Sequence, residues 1–170
     1  YHAFLWDERN GMTDLGTLDG GPSSASTAIN DLGQIVGYSV TSGYRSIEAF
    51  LWEEGVGMRS LGTLNGNFSS AEDINDLGQI VGLSSATANV QDTRAFLWEE
   101  GVMTDLNSLI SPNSGWLLSE ARGINNVGQI VGNGYINNQF HAFLLTPVSE
   151  TVPIPEPSPS WGLFAFGALS

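Results

Sequence analysis

Cysteine and lysine are both absent from the 170 residues. Without Cys there is no disulfide, thiol nucleophile or zinc–thiolate site. Without Lys there is no Schiff-base chemistry and no phosphate-binding lysine of a P-loop. Charge is also scarce: 14% of residues are charged, against roughly 25% in an average soluble domain. The five cations are all Arg and face 18 acids, for a net charge of −13. Such a surface repels nucleic acid and anionic lipid, because phosphate binding needs clustered Lys and Arg. Solubility outside a cell and cation binding remain compatible with it. The lack of Cys also fits secretion from a bacterium, although many cytosolic proteins share it. No signal peptide is legible, and Tyr1 lies inside a repeat motif, so the chain reads as a fragment or processed product.

What the chain does contain is repetition. Ala3-Phe4-Leu5-Trp6 returns as Ala49-Phe50-Leu51-Trp52, as Ala95-Phe96-Leu97-Trp98 and finally as Ala142-Phe143-Leu144-Leu145. A second block, Ile29-Asn30-Asp31-Leu32-Gly33-Gln34-Ile35-Val36-Gly37, returns at Ile74 to Gly82 and at Ile124 to Gly132. The first block steps by 46, 46 and 47 residues (3 to 49 to 95 to 142). A period of this length signals stacked or radially arranged units. Intrinsic disorder fits poorly, since the large apolar residues recur at fixed phase.

Each repeat reads as four short strands, named a to d. Strand a is Ala3 to Trp6, and Asn10-Gly11 follows it as a two-residue hairpin signal. Strand b runs from about Met12 through Leu18, and a polar Gly/Ser loop from Asp19 to Ser24 leads to strand c, which ends at Ile29. Asn30-Asp31-Leu32-Gly33 then reads as a type I turn closed by a left-handed Gly, with Gly78 and Gly128 in the same place. Strand d is Gln34 to Gly37, rich in β-branched residues. The segments Tyr38 to Glu48, Leu83 to Arg94 and Asn133 to His141 share almost nothing and read as variable loops.

No window has a helical period, so the expected fold is an all-β, propeller-like repeat. It would have about four short antiparallel strands per 46-residue repeat, and a β-solenoid is the competing arrangement. Residues 1–147 hold three repeats plus the first strand of a fourth, with repeats starting near residues 2, 48, 94 and 141. Three blades and a strand are few for a closed propeller, so an incomplete ring is expected, with at least one further b-c-d segment before Tyr1.

After Leu145 the composition changes. Thr146 to Ser160 carries all but two of the seven Pro residues, and 148–160 reads as an extended linker. Residues 161–170, from Trp161 to Ser170, are uncharged and apolar. They are too short to cross a bilayer, which needs about 20 residues, but read as the start of a truncated transmembrane segment.

Two family resemblances rest on these residues. The units with His2-Ala3-Phe4, Asp14-Leu15-Gly16 and Ile29-Asn30 through Gly37 resemble the HAF family of extracellular repeats, over nearly all of residues 1 to 147. That resemblance brings no established biochemical activity with it. The tail Val152-Pro153-Ile154-Pro155-Glu156-Pro157-Ser158 resembles the PEP-CTERM sorting signal of exopolysaccharide-producing Gram-negative bacteria. The signal implies an exosortase-type membrane enzyme that recognises Pro155, Glu156 and Pro157, cleaves nearby and delivers the protein to the surface or matrix. Half of that pattern's helix and its basic end are missing from this sequence.

Candidate sites are few. His2 and His141 occupy the repeat position that holds Glu48 and Arg94 in the other copies, so a strand-edge role outweighs a catalytic one. Asp31 and Asp76, which become Asn126, fit turn formation. Calcium is the one cofactor that such oxygen-rich acidic turns suit, but no Asp-x-Asp-x-Asp-Gly loop is present. Trp6, Trp52 and Trp98 are in phase with the repeat and read as packing between blades. Trp116 is out of phase, in the loop Ser111 to Leu118, and is the better candidate carbohydrate contact. Asn67-Phe68-Ser69 matches an N-glycosylation triplet but counts for little in a bacterial sequence.

The resulting expectation is a noncatalytic extracellular repeat domain of a surface- or exopolysaccharide-matrix-associated bacterial protein, structural or adhesive in role. Its expected partners are the processing enzyme, extracellular polysaccharide and, transiently, the membrane. The alternative is a glycan-acting propeller enzyme whose catalytic residues lie outside this chain.

Overall fold

The computed structural model describes residues 1–148. The chain is all-β. Thirteen strands run in order: β1 Phe4–Asp7, β2 Gly11–Asp14, β3 Ser23–Ile29, β4 Ile35–Val40, β5 Ile47–Glu53, β6 Gly57–Gly62, β7 Ser69–Ile74, β8 Ile80–Ser85, β9 Thr93–Glu99, β10 Val102–Asp105, β11 Trp116–Ile124, β12 Ile130–Ile136 and β13 Gln139–Leu145. They form four antiparallel sheets, β1-β2, β3-β4-β5-β6, β7-β8-β9-β10 and β11-β12-β13, called first to fourth below.

Each four-stranded sheet therefore joins strands c and d of one repeat to strands a and b of the next. The sheet is offset by half a unit from the repeat as it reads from strand a. The reason lies in the connections. The c–d and d–a links are tight enough to pair, whereas β2 to β3 must cross from one sheet to the next through a 3₁₀ turn at Leu18–Gly20. The a–b, c–d and d–a links are hairpins.

The strand limits also differ from expectation. Strand d continues to Val40, Ser85 and Ile136, and strand a begins as early as Ile47, Thr93 and Gln139, so both ends of each supposed variable loop are paired sheet, as is most of the third. Strand c starts at Ser23, inside the stretch that reads as a polar loop, and strand b stops at Asp14, short of Leu18. The turn chemistry is mixed. Gly33, Gly78 and Gly128 sit at φ +76°, +76° and +75°, as the Asn-x-x-Gly turns require. Asn10-Gly11 does not form a two-residue hairpin. Asp7 pairs with Gly11, and the Asp7 carboxylate accepts the Arg9 and Asn10 amides, closing a three-residue loop. Two-residue turns with both residues at positive φ occur instead at Glu100-Gly101 and Asn137-Asn138.

Side-chain alternation along strand a assigns its two faces. Phe50 and Trp52 turn back to meet Ala3, Leu15 and Leu18 of the first unit. Ala49 and Leu51 turn forward to meet Ala71, Ile74, Phe96 and Trp98 of the third sheet. Val81 and Ala95 repeat that forward contact against Ala121, Ile124 and Phe143 of the fourth. Three apolar layers thus alternate with the sheets, which is how sheets with two apolar faces are stabilised. Trp52 and Trp98 pack between sheets as expected, and Arg59 of β6 places its guanidinium 5.3 Å from the Trp98 ring centre. Trp6 does not: it is exposed, because among the described residues no sheet lies on its side.

Neighbouring sheets also join along strand c. Each c strand carries a β-bulge, at Thr27, Glu72 and Arg122. Thr27 Oγ1 donates to the Ala71 carbonyl at 2.7 Å, and the Ile124 amide donates to Asp73 Oδ2 at 2.8 Å. Opposite the bulge, strand d needs glycine. A Cβ on Gly37, Gly82 or Gly132 would lie 2.0, 2.0 or 2.2 Å from a carbonyl oxygen of strand c.

Candidate functional site

The repeated polar residues converge on inter-sheet hydrogen bonds. Asn30, at the c–d turn, closes its own turn by accepting the Leu32 and Gln34 amides on Oδ1. Its Nδ2 donates to the Asn75 carbonyl of the next sheet at 3.0 Å, and Asn75 Nδ2 donates to the Asn125 carbonyl at 3.0 Å. A parallel line joins the neighbouring acids: the Asp31 amide donates to Asp76 Oδ1, and the Asp76 amide to Asn126 Oδ1. Asn126 Nδ2 also donates to Asp76 Oδ2 at 2.6 Å. The Asp/Asn position therefore links turns of different repeats, which a purely local turn role does not convey. Among the described residues no group of three or more His, Cys, Asp or Glu side chains is placed to hold a metal ion.

Buried serines supply a second set of links that the sequence reading missed. Ser24 Oγ accepts the Ala3 amide and donates to the Gly16 carbonyl, and Ser69 does the same between Ala49 and Gly62. Ser39 and Ser84 likewise accept the amides of Leu18 and Leu64. In the last interface Asn107 takes over, bonding both the amide and the carbonyl of Leu118. The signal was available: Ser24 and Ser69, and Ser39 and Ser84, each recur at the 45-residue spacing that separates Ile29 from Ile74.

The His2 position is a strand-edge bridge. His2 Nδ1 lies 2.8 Å from the Asp14 carboxylate, Glu48 receives hydrogen bonds from Ser46 and Ser60, and Arg94 pairs with Asp92. The Gly16 amide, followed by His2, holds the Asp14 carboxyl below the usual carboxylate range. His141 instead sets its ring edge-on to Trp116, with centres 6.4 Å apart.

Trp116 opens strand β11 opposite Ile136, so it belongs to sheet as well as to the loop before it. Its ring is half-buried against the third core layer, beside Ile110 and Ser114 at a small cavity of about 280 Å³. A larger groove, of about 680 Å³, lies elsewhere, between the β1–β2 and β5–β6 hairpin tips, where Arg9, Asn10 and Glu54 flank the Trp52 edge. The structure does not bring Trp116 together with the phased Trp residues. Pro155, Glu156 and Pro157 lie outside the described residues. No family model, curated protein or solved structure matches the chain.

Proposed function

We propose that the chain is a noncatalytic repeat domain, propeller-like in build, of a bacterial protein held at the cell surface or in an exopolysaccharide matrix. Its role is structural or adhesive. One observation carries this reading: recurring Asn and Ser side chains hold sheet to sheet, as in Asn30 to Asn75 to Asn125. Residues arranged in this way stiffen a scaffold. The HAF-like motifs and the Pro155-Glu156-Pro157 tail favour display outside the cell after exosortase-type processing. Trp116, half-buried with Ser114 and His141 beside it, is the proposed polysaccharide contact, since a fixed aromatic edge with nearby polar groups suits a sugar ring.

The test is a glycan array together with a polysaccharide degradation assay. Binding without turnover is expected, and Trp116→Ala should weaken it about tenfold, equivalent to about 1.4 kcal/mol. Release of shortened sugars would overturn the noncatalytic reading. Absence of any glycan binding would remove the adhesive role.

A further inference from the structure

One position of strand b is filled differently from repeat to repeat. Thr13 of β2 stands opposite Leu5, Arg59 of β6 opposite Leu51, and Thr104 of β10 opposite Leu97. The residue in phase on strand a of the following sheet is Trp52 for Thr13, Trp98 for Arg59 and Leu145 for Thr104. Between the second and third sheets Arg59 reaches across. Its guanidinium lies 5.3 Å from the Trp98 ring centre and pairs with the Glu53 carboxylate at 3.3 Å. Between the first and second sheets the short Thr13 takes that place, and the groove of about 680 Å³ is lined by both Thr13 and Trp52. Trp52 corresponds to Trp98 and Asp7 to Glu53. The first interface thus keeps the ring and the carboxylate of a guanidinium seat, with Thr instead of Arg.

The groove lies between two sheets rather than at an end of the stack, and its walls are the β1–β2 and β5–β6 hairpins. Strands c and d pair along the other edge of strand a, as β3 and β4 do beside β5, away from strand b. The complete second sheet shows that a c–d turn and a guanidinium share one carboxylate. Gln34 Nε2 donates to Glu53 Oε1 at 2.8 Å while Arg59 pairs with Oε2. Strands c and d beside β1 would therefore leave this seat open.

We infer that this groove binds an arginine side chain of a partner polypeptide. The incoming guanidinium lies against the Trp52 edge, as that of Arg59 lies over Trp98, and pairs with Glu8 and Glu54. Among the described residues neither of these two carboxylates forms an ion pair. Asp7 Oδ1 is already taken by the Arg9 and Asn10 amides, so Asp7 adds mainly negative charge. Arg9 offsets one of the three acids in the lining, which stays net acidic. The neighbouring hairpin tips add Glu53, Glu99 and Glu100, a field that draws a basic segment to this end of the sheets. A planar, weakly hydrated guanidinium suits an aromatic edge beside carboxylates better than an ammonium does. Trp98 receives Arg59 while 7% exposed, and Trp52 is 9% exposed, too little to offer a sugar ring an open face.

The test is calorimetric titration of the full-length chain with an alternating Arg-Gly octapeptide amide and its Lys-Gly counterpart, at low salt. Saturable binding of the arginine peptide is expected, with the lysine peptide about fivefold weaker. Thr13→Arg supplies the guanidinium from within and should weaken binding about tenfold, and Glu54→Gln should weaken it severalfold. Thr104→Arg adds the same charge at the equivalent position beside Leu145 and should change affinity less than about twofold. Trp116→Ala should leave it unchanged, which separates this site from the polysaccharide contact. Equal weakening by Thr13→Arg and Thr104→Arg would reduce the effect to net charge and overturn the proposal, as would no binding. A neutral oligosaccharide displaced by Thr13→Arg would reassign the groove to sugar, and self-association abolished by Thr13→Arg would reassign it to a second copy. Either result overturns the proposal. If Thr13→Arg lowers the thermal midpoint, the unsubstituted chain decides: its Trp52 indole N–H resonance should shift on adding the arginine peptide, and no shift would refute the site.

Discussion

At the residue scale the informative side chain is Asn75. It is buried, accepts the Leu77 and Gln79 amides on Oδ1, and donates from Nδ2 to Gln79 and to the Asn125 carbonyl. Asn125 occupies the same turn position but is exposed, and among the described residues its side chain bonds only within its own turn. Asn75→Ala should therefore cost about 2–4 kcal/mol, because it strands buried partners, and Asn125→Ala about 1 kcal/mol. Urea unfolding of the two variants checks the ratio, and equal losses would contradict a ladder that acts between sheets. The acid limb of stability tests a different residue. The Asn10 amide, with smaller help from the Arg9 amide and the Asn10 side chain, lowers the pKa of Asp7 below its ordinary range. A lowered folded value means that the unfolded chain binds the proton more readily, so the contribution is complete at neutral pH. It disappears as pH falls from the ordinary carboxylate range through the depressed folded value. Asp7→Ala should flatten that part of the stability–pH curve and leave its shape above pH 6 unchanged, as read by urea titrations from about pH 2 to 7. The Asn-x-x-Gly turn was legible because its chemistry is local. The partner of Asn75 is 50 residues away, and periodicity reports phase without saying which neighbour a donor reaches.

At the element scale, strand a and strand d were legible as alternating or β-branched apolar runs, and the structure has strands at those places. Strand c was harder to delimit. Ser23–Ile29 is mostly Ser and Ala, and it is a strand because Ser24 is tied across to Ala3 and Gly16 and because the Thr27 bulge meets the next sheet. Small residues there let neighbouring sheets approach, a tertiary requirement that hydropathy cannot register. Trp116 illustrates the same limit. Its departure from the repeat marked it, but its place at the head of β11 depends on pairing with Ile136 across the Asn125–Gly128 turn. Turn identity gives a further test. Glu100 holds φ +51° in the two-residue β9–β10 turn, a conformation that costs less for Asn than for Glu. Glu100→Asn should stabilise the chain by about 0.5 kcal/mol, raising the thermal midpoint by about 1–2 °C. A fall in the midpoint would show that the Glu100 side chain makes a contribution larger than its backbone strain.

At the scale of the whole molecule, the apolar layers join only neighbouring sheets, so stability should behave as a sum of sheet terms and nearest-neighbour interfaces. Among the described residues the third is the four-stranded sheet whose strand c and its turn meet those of another sheet on both sides: Thr27 and Asn30 reach into it from one side, and its Asp73 and Asn75 reach the fourth sheet on the other. Its central strands β8 and β9 contain Ile80, Val81, Ala95 and Phe96, all with no exposed surface. The first sheet has two short strands, one covered face and the exposed Phe4, Trp6 and Met12. Opening it leaves the other interfaces intact, whereas opening the third sheet breaks two core layers together. Amide hydrogen exchange at neutral pH should therefore show protection that rises from β1–β2 to a maximum in β8–β9 and falls again at the outer edge of β13. The difference should be several orders of magnitude in rate, as expected where local opening spans the range from fraying to global unfolding. Protection that is equal in β2 and β8 would mean that the sheets unfold as one cooperative body, and the nearest-neighbour description would fail.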